Sequence, residues 1–136
     1  MRILLTSRFI VGCLGQVLIA ASAFAHHSFT AEFDAWNVIA LTGTVTKVEW
    51  TNPHAHFFID VGSDRGKVIH WDFELGSPNT LRRDGWAKNS LKVGDVVTVR
   101  GYRAKDGTNY GNAKEVTLSD HRRVFGGSSY DDVKPK

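Results

Sequence analysis

From residue 40 onward the apolar residues come in short alternating runs, each closed by turn residues, and that pattern restricts the chain to small antiparallel β architectures. "LTGTVTKVEW" is rich in Thr and Val, "HAHFFIDV" alternates, and the polar "GSDRGK" reads as a hairpin loop leading into "VIHWDFEL". In this third run Ile69, Trp71, Phe73 and Leu75 share one face, the expected core, while Val68, His70, Asp72 and Glu74 share the other. In the second run Ala55, Phe57, Ile59 and Val61 take the core face, which turns His54, His56 and Phe58 outward.

The stretch "GSPNTLRRDGW" changes character. Ser77 suits a helix cap, Pro78 a first turn and Gly85 a left-handed ending, so a helix of two turns at most is expected there. "LKVGDVVTVRGY" then predicts a turn at Val93-Gly94-Asp95 and a fourth strand. "AKDGTNYGNAKEVTL" predicts a loop around Asp106-Gly107 and a fifth. Three strands, a short helix and two more strands is the order of a mainly β, five-stranded Greek-key barrel of the oligonucleotide/oligosaccharide-binding (OB) type, with its one helix between strands 3 and 4. Another small barrel or a sandwich shares the pattern, because alternation does not encode strand order. The expected organisation is a signal peptide over 1–25, an arm over 26–39, the OB-like domain over 40–124 and a loose tail over 125–136. Within the arm, Phe29, Phe33 and Trp36 are expected to pin the segment onto the barrel and hold His26 near its surface.

The leader carries Arg2 and Arg8 as its only charges, then an apolar stretch from Phe9 to Ala20, then Ala23-Phe24-Ala25. That is a secretory signal with an A-x-A cleavage site, so the exported chain is expected to begin at His26 and to be periplasmic or secreted. Ile10-Val11-Gly12-Cys13 offers a competing lipoprotein box, but it would leave the strongly apolar Leu14–Ala25 at the start of the mature chain. Cys13 is the sole cysteine, so cleavage after Ala25 removes any disulfide, thiolate metal site or cysteine nucleophile. Loss of the two arginines takes the formal charge from +3 to +1, spread along the chain. No nucleic-acid partner is expected on that ground.

Several of these stretches together resemble a known family: "HHSFTAEFD", "GTVTKVEWTNPH", "FELGSPNTLRRDGW" and "GDVVTVRGYRAKDG" are similar to the domain-of-unknown-function 6152 family, small exported bacterial proteins, over nearly all of residues 26–120. The resemblance implies an exported single domain and carries no activity with it.

A chain that begins with histidine can chelate copper through its terminal amine and the ring nitrogen of the same residue, with further imidazoles completing the nitrogen set that Cu(II) favours. His26 is that residue, and His54 and His56 are two apart on one face of the second strand. These three form the candidate metal site, with His27, His70, Asp72 and Glu74 as reserve or supporting groups, because either carboxylate can orient the His56 ring. Copper is the metal the donor set suits, though the chain shows no certain cofactor. The competing reading is plain: outward histidines are ordinarily polar side chains facing solvent, and His54 after Asn52-Pro53 can simply bond its own turn. His121, beside Arg122 and Arg123, reads as solvated. A metal-free alternative places a peptide, glycan, small ligand or periplasmic protein on the same face, held by Phe58, Trp50 and Trp86; for the two tryptophans, capping the barrel competes with lining a cleft. Enzyme chemistry has little support, since no nucleophile motif or phosphate loop is present, and a copper mono-oxygenase would lack a substrate platform.

Overall fold

The computed structural model describes residues 29–127. A helical turn at 29–32 leads into β1 (Phe33–Glu49), followed by β2 (His56–Gly62), β3 (Val68–Glu74), the helix α1 (Pro78–Arg83), β4 (Val96–Ala104), β5 (Tyr110–Leu118) and the short β6 (Arg123–Phe125). The strands pair in the order β3-β2-β1-β4-β5-β6, and β3 also pairs with β5, in parallel, through Asp72–Glu74 and Tyr110–Asn112. Five strands thus close into a ring, with β6 attached outside it, in a β-rich, OB-like arrangement.

β1 is long because it serves two partners. It pairs with β4 through Val38–Thr44 and with β2 through Thr44–Glu49, and a register shift between Val45 and Lys47 bends it at the exchange. Gly43 stands at that corner, where an added Cβ would lie 2.5 Å from the Asp60 carbonyl oxygen. The predicted turns carry the backbone their glycines allow: Gly66, Gly94 and Gly107 all have positive φ. The fourth-strand turn is tied to β1, because Gly94 N–H donates to the Val45 carbonyl and Val45 N–H to that of Asp95, both at 2.8 Å.

The ring is filled by alternate residues, among them Val45, Phe57, Ile59, Phe73, Val99 and Val116. The rings of Phe57 and Phe73 stack at 5.5 Å. α1 closes one end. The Ser77 hydroxyl accepts the Thr80 N–H at 3.2 Å, Pro78 occupies the first turn, Gly85 at φ +91° ends it, and Leu81 inserts into the core. Of the two roles open to Trp86, capping the barrel and lining a ligand cleft, the structure shows the first: it is buried and its Nε1 donates to the Phe125 carbonyl at 2.6 Å, so both its apolar body and its donor are already used.

A second, smaller cluster lies on the outside of the ring. Phe29, 1% exposed, packs at 5.4 Å from Phe33 and edge-on to Tyr102 at 5.6 Å, and Phe33 sits 5.1 Å from Tyr110. The segment beginning at Phe29 therefore docks as expected, fixed further by Lys105 N–H donating to the Glu32 carbonyl at 2.9 Å and Lys105 Nζ to that of Thr30 at 2.5 Å.

Other expectations are corrected. Residues 33–39 belong to the sheet rather than to an arm, because Phe33, Val38 and Ile39 already pair with β4. Trp36 is 96% exposed and pins nothing: the β1–β4 register shifts between Phe33 and Val38, and the Asp34 carboxylate takes the Trp36 N–H at 2.9 Å within this irregular stretch of the strand. Ile69, assigned to the core, is 36% exposed at the open end of β3. Phe125, expected to begin a loose tail, instead pairs with Glu115 in β6; the leader, His26, His27 and residues 128–136 lie outside the described residues.

Candidate functional site

Closure of β3 on β5 converts one outward face into a semi-enclosed polar site. Alternation sends Asp72 and Glu74 to the outside of β3, and the parallel register places Tyr110 beside Asp72 and Asn112 beside Glu74. With the docked segment packed on Tyr102 and Tyr110, Glu74 is only 8% exposed. A buried carboxylate is stable only when well hydrogen-bonded. Here Tyr110 donates its hydroxyl to Oε2 at 2.8 Å, Asn112 Nδ2 donates to Oε1 at 3.3 Å, and His54 Nδ1 lies 3.1 Å from Oε1.

His56 repeats the theme one pair over. It sits across from Glu74 in the β2–β3 register, but its Nδ1 reaches the neighbouring Asp72 Oδ1 at 3.0 Å, and its ring stacks parallel to Tyr110 at 6.2 Å between centroids. Two imidazoles are thus each held through Nδ1 by a separate carboxylate, His54 by Glu74 and His56 by Asp72. Neither Nε2 is engaged by another described residue.

The electrostatics follow from these contacts. The hydrogen bond to Glu74 raises His54 above its ordinary value, against the opposing effect of burial, with Glu74 and the more distant Glu32 adding negative potential. The bond to Asp72 raises His56 in the same way, again against burial. Burial pushes Glu74 up, but the hydrogen bonds from His54 and Tyr110 outweigh it and hold the carboxylate below its usual range. Tyr110 is driven well above the ordinary phenol value by burial first and by its bond to Glu74 second. The site therefore favours Glu74 ionised, both histidines protonated and the phenol neutral.

His54, His56, Asp72 and Glu74 are brought together as expected. His70 is not: it faces Asp60 across the hairpin at 2.5 Å, near the far end of β3, and is removed from the reserve set. Phe58 lies on the site's face, half-buried, with the Lys47 ammonium 5.1 Å from its ring centroid. Trp50 packs on the core, its buried Nε1 without a partner. His121 is exposed, at φ +65° in a turn. Sequence reasoning missed Tyr110 and Asn112. Their signal was a two-residue spacing in "NYGNAK", which becomes meaningful only once the third and fifth strands are paired.

Among the described residues, no group of three or more His, Cys, Asp or Glu side chains is placed to hold a metal ion. His54 and His56 supply two oriented nitrogens, so a metal here requires donors from elsewhere. Asn112, 1% exposed, also keeps a buried Oδ1 without a partner beside Glu74, an acceptor open to a donor from a ligand or solvent.

A family model described as "Family of unknown function (DUF6152)" matches residues 15–113. No curated protein matches the chain. Among solved structures it is similar to the mitochondrial single-stranded DNA binding protein Rim1 of S. cerevisiae, at 10% identity over 61% of this chain and 93% of that one, with a TM-score of 0.49. The expectation that nucleic acid is no partner is withdrawn, because a small net charge summed over the chain does not describe any one face.

Proposed function

We propose that this chain, which belongs to the family of unknown function DUF6152, is an exported binding module that holds a transition metal, copper by its donor chemistry, on the outer face of β2 and β3 of an OB-type Greek-key barrel. One observation carries the reading: His54 and His56 each spend Nδ1 on their own carboxylate. Carboxylates that fix histidine tautomer and ring orientation in this way commonly back metal-binding imidazoles, leaving Nε2 as the ligand. His26 would add its amine and ring nitrogen once cleavage after Ala25 frees them, with His27 as the alternative chelate.

The docked segment supports that assignment. Phe29 is three residues from His26, a span of at most about 10 Å, and it joins a chain of ring contacts running through Phe33 and Tyr110 to His56. A copper ion at this site would supply a Lewis-acidic, redox-active centre, while the protein's own groups orient the imidazoles and hold their protons until metal displaces them.

The test is an intact mass of the exported protein followed by Cu(II) titration read by electron paramagnetic resonance. A chain beginning at His26 is expected to take one copper with nitrogen hyperfine structure. His56→Ala, or one residue added before His26, should weaken binding at least tenfold, and His121→Ala should not. Equal losses at His56 and His121 would end the proposal.

Metal-free recognition of a peptide, glycan or partner protein is the second reading, favoured by Phe58 on the same face and by the unpartnered Trp50 Nε1. It requires that a chelator leave binding intact and that Phe58→Ala abolish it.

A further inference from the structure

One edge of β1 is left partly uncovered by the fold. Pairing with β2 begins only at Thr44, whereas regular pairing with β4 extends back to Val38. Val45 sends both its N–H and its carbonyl to the turn before β4. Alternation therefore turns the N–H and carbonyl groups of Val38, Ala40 and Thr42 the other way, toward the side that the β2 ladder does not reach. Among the described residues, no backbone group pairs with them there. The open window ends at β2 on one side and, on the other, at the irregular stretch where the Asp34 carboxylate takes the Trp36 N–H. It consists of Val38-Ile39-Ala40-Leu41-Thr42, with none of the lysines, prolines or inward charges that ordinarily keep a strand edge from pairing. Trp36, 96% exposed, and Val38, 55% exposed, add apolar surface beside it.

We propose that this edge joins two copies of the chain, β1 against β1, in antiparallel pairing about a two-fold axis at Ala40. The window is its own complement. With Ala40 on the axis, Val38 of each copy faces Thr42 of the other, and the residues that carry the free backbone groups exchange hydrogen bonds across the axis. Charge complementarity selects the antiparallel sense: Asp34 precedes the window and Lys47 follows it, with no charge between them. The acidic end of one edge thus meets the basic end of the other, whereas a parallel pair would set like charges side by side. The smallest side chain of the window falls on the axis, and Trp36, just outside the window, comes to lie along the partner strand, which takes its indole out of water. The two β1 strands then join both rings into one continuous sheet. A contact of this size gives weak, concentration-dependent association. The inference is independent of the metal reading, because the joined edge supplies none of the metal donors.

Sedimentation equilibrium of the full exported chain, combined with amide hydrogen exchange, tests this. Twice the mass of one chain is expected at the concentrated end of a dilution series, with the Val38 and Ala40 amides protected there and released on dilution. Ala40→Lys sets two ammonium groups against each other at the axis, at a position exposed in the single chain. It should abolish both the doubled mass and the protection, while the amides of Val99 and Val116 stay protected as proof of fold. Trp36→Ser should weaken association at least tenfold. The proposal is overturned by the mass of one chain at every concentration up to about 1 mM, by a dimer in which Val38 and Ala40 exchange as fast as in the single chain, or by an Ala40→Lys protein that still dimerises.

Discussion

The Glu74 carboxylate takes hydrogen bonds from Tyr110 and Asn112 and is paired with His54 in a nearly dry setting, so its oxygens have little room for a different acceptor pattern. Glu74→Gln replaces one acceptor oxygen by an N–H2 group that must face donors, and is expected to cost about 1–3 kcal/mol in a urea titration, with the His54 pKa moving back toward 6.5 in a proton-resonance titration. Preserved stability together with an unchanged His54 would mean that the pair is incidental. The pH dependence follows from the directions of the shifts. His54 and His56 are raised, so their contribution is complete below 6.5 and fades as pH rises through their folded values. Glu74 is lowered, so its contribution is present above 4.5 and fades as pH falls through its folded value. The urea midpoint should therefore be highest between 4.5 and 6.5 and decline on both sides; a midpoint that climbs from there to pH 8 contradicts the assignment. These three side chains were legible as an outward set by alternation alone. That Glu74 is buried was not, because burial depends on what closes over it.

At the scale of elements, the docked segment and the β4–β5 pair position everything described above. Phe33 is fully buried outside the main core, so Phe33→Ala is expected to cost about 3–5 kcal/mol and to expose the amides of 33–38 to hydrogen exchange before those of β5. Exchange that accelerates equally in both would show that the segment is no separate unit. Gly101 is a backbone requirement rather than a packing choice: an added Cβ would overlap the Asn112 carbonyl oxygen, the residue whose side chain holds Glu74. Gly101→Val should break the β4–β5 pairing and disturb the His54 resonance along with it. The helix was readable in detail, from Ser77 through Gly85, since caps and turns are local. β6 was not, being three residues long and paired to a strand only by the fold.

For the molecule as a whole, ring closure is what joins the separate histidine–carboxylate pairs into one site. If metal binds there, it competes with protons that both imidazoles hold more tightly than usual, so apparent Cu(II) affinity should rise steeply between about pH 6 and pH 8. Titrations giving the same affinity at both ends would remove His54 and His56 as ligands.

The sequence by itself determined five strands, though not the first part of β1, together with the turns, the capped helix, the facing of His54 and His56 and the membership of Asp72 and Glu74 in the same face, because each depends on neighbours within a few residues. Only the tertiary structure decided which histidine meets which carboxylate, that His70 stands apart, that Trp86 is spent on closure and Trp36 on nothing, and that Tyr110 and Asn112 complete the site. Those outcomes turn on the pairing of β3 with β5, residues nearly forty positions apart in the chain, and a contact of that range leaves no periodicity in the sequence to be read.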